Sequence, residues 1–549
     1  METQAYDVLV IGAGISGMQA ALDLADKGYR VLVVERQASI GGTMVRLDKT
    51  FPTNDCAICI AAPKMVELAR HPNITLLTSA QVERVSGSAG SFTALIWRQT
   101  TYVDPAKCTG CGDCARACPV EVADLFNGRL STRKAIFLQF PQAVPAVYTI
   151  DYRHCVGCGA CDRACATGAI AFLQRARPLT VTVGSIVVAT GFEVLEPTTL
   201  RKEYGYGRFA NVLTALQYER LLAASGPTGG TLTRPSDGQP PARVAWIQCV
   251  GSRSLQGGYP YCSKICCMYA TKEALITLEH APATRATIFY MDLRAYGKEF
   301  QQFYRRAADH GVRYIRSRPA EVSENADQSL TVSYEDTLTG AVHSETFDLL
   351  VLSTAIVPAP ENHRLARALG VAVDAHGFFA PRDPLRDPLQ SSRDGIFLAG
   401  GAAGPNDIAD SVARASGAAA RAVIPLSGRQ RVALAAPLPD RELVAAEPRT
   451  GVFVCSCGKN IGGFVDVPAV AAYARELPGV AFVEACTFAC SEDAQRRIKA
   501  AVAANNLTRV VVAACSPITH GPLFQQTCAE IGLNPGLFEM ANIRNQCSW

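Results

Sequence analysis

The sequence predicts an α/β protein with one open-sheet domain interrupted by an insertion, a second open-sheet domain, and a small α/β unit at the end. Three observations predict this. A hydrophobic strand at 6–11 runs through a glycine turn into a helix at about 15–27 and a strand at 30–35. The alternation breaks into cysteine-rich sequence from Cys108 to Cys165 and resumes with a strand at 179–190, the pattern an inserted domain leaves. Residues 450–549 read β-α-β-α-β-α, an alternation that gives a parallel sheet.

The divisions expected are 1–102 for the first domain, 103–175 for the insertion and 176–241 for the first domain continued. Residues 242–358 form the second domain, 359–427 return to the first, 428–449 link, and 450–549 form the last unit. A chain of 549 residues is too long for one core, and roughly two to four domains are expected. Lys+Arg at 53 against Asp+Glu at 49 leaves a net charge of +4, which gives no electrostatic reason for a nucleic-acid or membrane-surface partner. The chain runs straight into a buried-type strand with no signal-peptide pattern, and no apolar run reaches the ~18 residues of a membrane span, so a cytoplasmic location is expected. The 21 cysteines are the outlier, and in a reducing compartment clustered cysteines read as metal ligands or redox groups.

Gly12-Ala-Gly14-Ile15-Ser16-Gly17 lies between the first strand and helix, and Glu35-Arg36 ends the next strand. Gly12 makes the tight turn, Gly14 admits a pyrophosphate, Gly17 lets helix and strand pack, and Glu35 can accept from an adenosine ribose. Gly41-Gly42-Thr43 follows at the spacing of two-dinucleotide-domain (thioredoxin-reductase-like) flavoproteins, and Ala189-Thr190-Gly191 and Gly395 to Gly401, with Gly400, resemble their later flavin-contacting turns. These favour FAD over NAD. The acidic residue usual after the last glycine is Gly401 here; Asp407, ahead of Ile408, or Asp410 stands in for it. The second domain's first strand ends Ile247-Gln-Cys-Val-Gly-Ser252 without a GxGxxG turn, which disfavours NAD(P)H as direct reductant.

Within the insertion, Cys108-x2-Cys111-x2-Cys114-x3-Cys118-Pro119 and Cys155-x2-Cys158-x2-Cys161-x3-Cys165 form the bacterial two-cluster ferredoxin pattern. The fourth cysteine of each run ligates the other 4Fe–4S cluster. Cluster one takes Cys108, Cys111, Cys114 and Cys165; cluster two takes Cys155, Cys158, Cys161 and Cys118. A zinc ribbon would leave four of these cysteines unexplained. Ala166 replaces the proline usual after the second run, and 119–154 is longer than a bare ferredoxin needs.

Cys249, Cys262, Cys266 and Cys267 could hold a third cluster, or form a partly structural group. In the last unit, Cys455 and Cys457, Cys490 and Cys515 follow three separate strands, whose carboxyl ends share one edge of a parallel sheet. That favours a fourth cluster, with Cys486 an alternative ligand and Cys528 and Cys547 as packing or partner-facing thiols. Cys56-x-x-Cys59 is either a redox dithiol or, more in keeping with its position, a structural or cluster-adjacent pair.

Gly258-Tyr-Pro-Tyr-Cys-Ser-Lys-Ile-Cys-Cys-Met-Tyr-Ala-Thr-Lys272, the stretch Gly400 to Ala415, Cys455-Ser-Cys-Gly-Lys-Asn-Ile461, Ala514-Cys-Ser-Pro517 and Asn542 to Trp549 complete a combination that resembles the A subunit of heterodisulfide reductase and its bacterial relatives. The resemblance implies FAD, several 4Fe–4S clusters including one at Cys249/Cys262/Cys266/Cys267, and a place in a multi-subunit complex. Its partners there would be heterodisulfide-reductase B/C-like or hydrogenase delta-like subunits and ferredoxin, with a homodimer within the complex compatible. It also places Lys272 near the flavin ring, with Glu219 as its counterpart, and implies that the flavin can split an electron pair. The unit bearing Cys455 and Cys515 follows the flavin region, whereas in the family it usually precedes one. Three functions are compatible with these features: an electron-transfer hub, a self-contained NAD(P)H oxidoreductase, and a scaffold with an unused flavin site.

Overall fold

The computed structural model describes residues 4–197, 204–255, 258–433, 439–440 and 447–548. Trp549 and half of the expected linker (434–438 and 441–446) lie outside the described residues. The first domain is centred on the strand Val8–Ile11, buried along its whole length as a parallel strand covered on both faces must be. It pairs in parallel with Val31–Val34 and Ser185–Val188; Ile74–Leu77 extends one side and Ile396–Leu398 the other, in a seven-stranded sheet. Three distant stretches of sequence therefore share one sheet. A second, four-stranded sheet includes Ala80–Ser88, Ser91–Arg98 and Arg177–Val183. Its Phe92, Ile96 and Val181 pack on Leu9, Ile186 and Val188.

The cysteine-rich insertion leaves this second sheet after Arg98 and returns at Arg177, residues that face each other across the antiparallel pair. Exit and return lie side by side, so the host strands accept the insertion without distortion.

The second domain has five parallel strands in the order Val212–Thr214, Leu349–Thr354, Arg243–Val250, Arg285–Tyr290, Arg313–Arg316. Its boundary is earlier than the expected residue 242, because Val212–Thr214 pairs with Leu350–Leu352 and the helix Ala215–Leu222 follows directly. A three-residue strand is too short to show periodicity. The usable signal was the Thr214–Gln217 capping box that starts the helix.

The last unit is a four-stranded parallel sheet ordered Val480–Cys486, Thr450–Cys455, Arg509–Ala514, Phe538–Asn542. The expected β-α-β-α-β-α pattern is thus extended by a fourth strand. Its helix Pro517–Ala529 packs on the first domain's helix Ala57–Arg70, with Arg70 donating to Thr527 Oγ1 at 3.1 Å. Among the described residues no helix is long and apolar enough to cross a membrane.

Candidate functional site: a dinucleotide cavity and converging cysteines

A cavity of about 530 Å³ opens at the carboxyl ends of the first domain's central strands, within the range of cofactor sites. Gly12, Gly14, Ile15 and Ser16 form its floor. Gly12 adopts φ +97°, and a Cβ there would lie 2.5 Å from the Ala189 carbonyl oxygen. The helix Ile15–Ala25 begins at Gly14 with no side-chain cap, leaving its first N–H groups for an anionic ligand. Glu35 lines the cavity and accepts N–H groups from Ala13 (2.8 Å) and Gln37 (2.9 Å), which leaves lone pairs for a sugar hydroxyl. Burial raises its carboxyl pKa against these hydrogen bonds. Thr190 and Thr354 each present a buried hydroxyl with no hydrogen-bond partner among the described residues, and both line the cavity. The donor set fits a flavin dinucleotide.

Of the other residues expected here, Gly42, Thr43, Ala189, Gly191, Gly401 and Ile408 also line the cavity. Gly17, Gly41 and Gly400 do not; they are packing positions behind it. A Cβ on Gly17 would stand 1.9 Å from the Gly12 oxygen, one on Gly41 2.5 Å from Val45, and one on Gly400 1.9 Å from Ser16 Oγ. Arg36 lines the cavity with its guanidinium paired to Glu193 and Glu361. Between the two aspartates, Asp407 lines the cavity and caps the helix Ile408–Ala422, accepting from the Asp410 N–H at 2.7 Å, whereas Asp410 pairs with Lys264.

One wall was not foreseen. Phe126, Arg133, Phe137, Gln139 and Phe140, all from the long inter-motif part of the insertion, face the cavity. Gln139 accepts from the Ser39 N–H at 3.1 Å, and Phe140 and Val144 join the first domain's core. No local motif marks these residues. The unexplained length of 119–154 was the available signal.

In the insertion, Cys114 lies among Cys108, Cys111 and Cys161, while Cys161 lies among Cys155 and Cys118. A cavity is lined by Cys118, Cys155, Cys158 and Cys161, one fourth-position cysteine with three from the other run. This set fits a 4Fe–4S cluster with crossed ligation. Cys118→Ala is accordingly expected to remove about four irons of the cluster held by Cys155, Cys158 and Cys161, with the Cys108–Cys114 cluster retained. Iron analysis and EPR of the reduced protein check this; loss of the other cluster's signal would contradict it.

Two protein-family models match: FAD dependent oxidoreductase over residues 7–55, and 4Fe-4S dicluster domain over 107–170. The chain is 48% identical over 419 residues to the A subunit of the H(2):CoB-CoM heterodisulfide,ferredoxin reductase of Methanothermobacter thermautotrophicus, covering 76% of this chain and 63% of that one. It is 51% identical over 433 residues to an iron-sulfur A subunit of the CoB--CoM heterodisulfide reductase of Methanopyrus kandleri, covering 78% and 66%. The chain belongs to the heterodisulfide reductase A-subunit family. A third relative, the A subunit of the ferredoxin:CoB-CoM heterodisulfide reductase of Methanosarcina mazei, is 42% identical over 459 residues, covering 82% of this chain and 57% of its own length. The chain thus spans less than two thirds of the length of these relatives. Among solved structures, a thioredoxin reductase of T. acidophilum aligns with a TM-score of 0.43 and 13% identity, over 76% of this chain and 98% of that one.

In this chain the second domain closes the flavin cavity with two helices. Lys272, on Cys266–His280, and Glu219, on Ala215–Leu222, both line it and form an ion pair exposed by only 1% and 2%. Lys272 Nζ also donates to the Lys49 carbonyl at 3.0 Å, and Glu219 Oε2 accepts from the Asp48 N–H at 2.9 Å. Burial, reinforced by the Glu219 charge, pushes the Asp48 carboxyl up to about 7 and Glu273 well above the usual carboxylate range. Lys272 therefore stands among three buried carboxyls, of which two are held toward their protonated form.

The second domain gathers Cys249, at the end of the strand Arg243–Val250, with Cys266 and Cys267 at the start of the helix Cys266–His280. A hydrogen bond from Cys266 brings the Cys249 thiol down to about 7. Cys262, the fourth cysteine expected here, has its sulfur accepting the Lys264 N–H at 3.3 Å. In the last unit, Cys457 and Cys515 meet, and Cys490 lines the same cavity. The expected fourth member, Cys455, is turned to the backbone: its sulfur donates to the Thr487 carbonyl at 3.4 Å and accepts from the Ala489 N–H at 3.4 Å. Cys486 pairs with Cys455, Cys528 is buried in this unit's core, and Cys547 is exposed.

Proposed function

We propose that this chain is the flavin-bearing electron-transfer subunit of a heterodisulfide-reductase-like complex. When bound, FAD supplies electron-pair exchange and the clusters supply single-electron transfer. The observation that carries this reading is the helix Cys266–His280. Lys272 reaches from it into the flavin cavity, and its amino end bears Cys266 and Cys267 beside Cys249. In a nicotinamide-binding domain that strand end and helix start would hold a pyrophosphate; here they hold thiols, so the route from the flavin leads to a cysteine group.

The residues around the cavity have separable roles in this reading. The Lys272 charge favours an anionic reduced ring. Glu219 fixes the ammonium, and Glu273, which accepts from Trp246 Nε1 at 2.8 Å, holds a proton within the same buried group. The insertion's aromatic wall excludes water. Splitting of the pair between a high- and a low-potential acceptor is the finer form of the proposal, with B/C-like or hydrogenase delta-like subunits and ferredoxin as the partners.

The test is an anaerobic potentiometric titration following flavin absorbance and cluster EPR. A two-electron flavin transition lying between high- and low-potential cluster signals is expected. Two well-separated one-electron flavin steps would reduce the role to a relay, and rapid bleaching of the flavin by NADH alone would overturn the assignment in favour of an NAD(P)H oxidoreductase.

A further inference from the structure

Cys56 and Cys59 belong to the flavin domain, at the cap and third residue of the helix Ala57–Arg70, and neither lines the flavin cavity. Cys59 points out of its own domain. Its thiol reaches Cys457 and Cys515 of the last unit as well as Cys56. The Cys59 and Cys515 sulfurs and a His520 ring nitrogen all lie within 4.8 Å of one another. They border a small cavity that Cys457, Cys490 and Cys455 also line.

Three observations distinguish this group from a set of packed thiols. His520 is 1% exposed, and both its ring nitrogens lack a hydrogen-bond partner among the described residues. An imidazole with two unmet polar atoms in an interior is costly unless something polar occupies the space it faces. Arg544 is buried beside the group and donates to the Cys457 sulfur at 3.4 Å, so a positive charge has been brought to these sulfurs against the cost of desolvating it. Finally, among the five cysteines lining the cavity only Cys455 spends its sulfur on two backbone hydrogen bonds. Four remain, the number a cubane cluster takes. They come from four elements: the helix Ala57–Arg70, the loops after Thr450–Cys455 and Val480–Cys486, and the end of Arg509–Ala514.

We infer that Cys59, Cys457, Cys490 and Cys515 hold one 4Fe–4S cluster across the boundary between the flavin domain and the last unit, with His520 and Arg544 as polar groups against it. The flavin domain thus completes a site that the last unit cannot complete alone. The last unit also touches the loop of the first ferredoxin cluster, where Arg496 donates to the Thr109 carbonyl at 3.1 Å between Cys108 and Cys111. The bridging cluster is therefore set beside the ferredoxin insertion, and a partner docked on the last unit would exchange electrons with the chain through it. The role in transfer rests on the function proposed above; the metal site does not.

The experiment compares the anaerobically purified full-length chain with its Cys59→Ala, Cys515→Ala, Cys455→Ala and Cys59→Ala/Cys515→Ala variants, by iron, sulfide and FAD content and by EPR of the reduced protein. Alanine is chosen because a serine oxygen can still ligate iron. Cys59→Ala and Cys515→Ala should each lose about four irons and the same EPR signal, the double variant should lose no more than either, and Cys455→Ala should keep its iron. FAD and the ferredoxin-cluster signals serve as the folding control. If Cys59→Ala lowers FAD as well, Cys515→Ala, which lies outside the flavin domain, carries the decision together with the double variant. Full iron in Cys59→Ala, or loss of different signals in the two single variants, would overturn the shared site. The flavin titration above can fail while these iron counts hold, and the reverse, so the two proposals are judged separately.

Discussion

Lys272→Met is expected to destabilise the flavin-binding region by about 3–5 kcal/mol, the usual consequence of removing one partner from a buried ion pair. Glu219 would be left in the interior without its counter-charge, hydrogen-bonded to the Asp48 N–H and to Glu273. The double variant Lys272→Met/Glu219→Gln should recover most of the loss, because it removes the uncompensated charge along with its partner. Thermal and denaturant unfolding monitored by flavin fluorescence separate the two outcomes. An unfolding midpoint for the single variant equal to the parent's would mean that the pair is hydrated rather than buried. In the single variant that retains FAD, the flavin potential should fall, since the cation favouring an anionic reduced ring is gone; an unchanged potential would remove Lys272 from the electronic role while leaving its structural one.

Gly17→Ala is expected to weaken FAD binding roughly ten- to hundredfold, equivalent to about 1–3 kcal/mol of overpacking strain. The new methyl would lie 1.9 Å from the Gly12 oxygen, and Gly12 occupies a left-handed turn that cannot easily move because its own Cα faces the Ala189 carbonyl. The helix Ile15–Ala25 must therefore shift away from the strand, carrying its free N–H groups off the pyrophosphate position. Gly521→Ala supplies the control, because a Cβ there meets nothing within 4 Å. Flavin content after gel filtration and titration of the deflavinated protein measure the effect. Parent-like affinity in Gly17→Ala would show that helix and strand are not in the contact described.

The parts of this architecture that were legible in the sequence are those whose determinants are close together in the chain. Gly12, Gly14 and Gly17 lie in one turn, and each ferredoxin run places four thiols within one short loop and helix, so spacing alone carries the chemistry. The strand ends bearing Cys457, Cys490 and Cys515 were also readable, because parallel sheets put their carboxyl ends on one edge. Cys59 was not. It reaches that edge through the docking of Ala57–Arg70 on Pro517–Ala529, a packing of two domains that neither helix announces. Cys455 and Cys457 illustrate the same limit at the scale of two residues. Cys455 ends the strand and Cys457 follows it by two residues, yet the Cys457 sulfur meets Cys59 while the Cys455 sulfur is spent on the backbone of the 487–489 loop.

The insertion's contribution to the flavin cavity ties the retention of one cofactor to that of the other. Phe126 and Phe140 stack at 5.1 Å, Arg220 of the second domain donates to Asn127 at 2.9 Å, and the Ile40 N–H is bonded to the Val144 carbonyl at 2.9 Å. These contacts hold only while the insertion is folded, and its small core is built around the cluster cysteines Cys114 and Cys161. By linkage, whatever unfolds that core loosens the wall that retains the flavin. A shortage of iron during maturation would then register as a shortage of flavin, and a chain that has lost its metal would be emptied of both cofactors rather than remain as a half-loaded carrier.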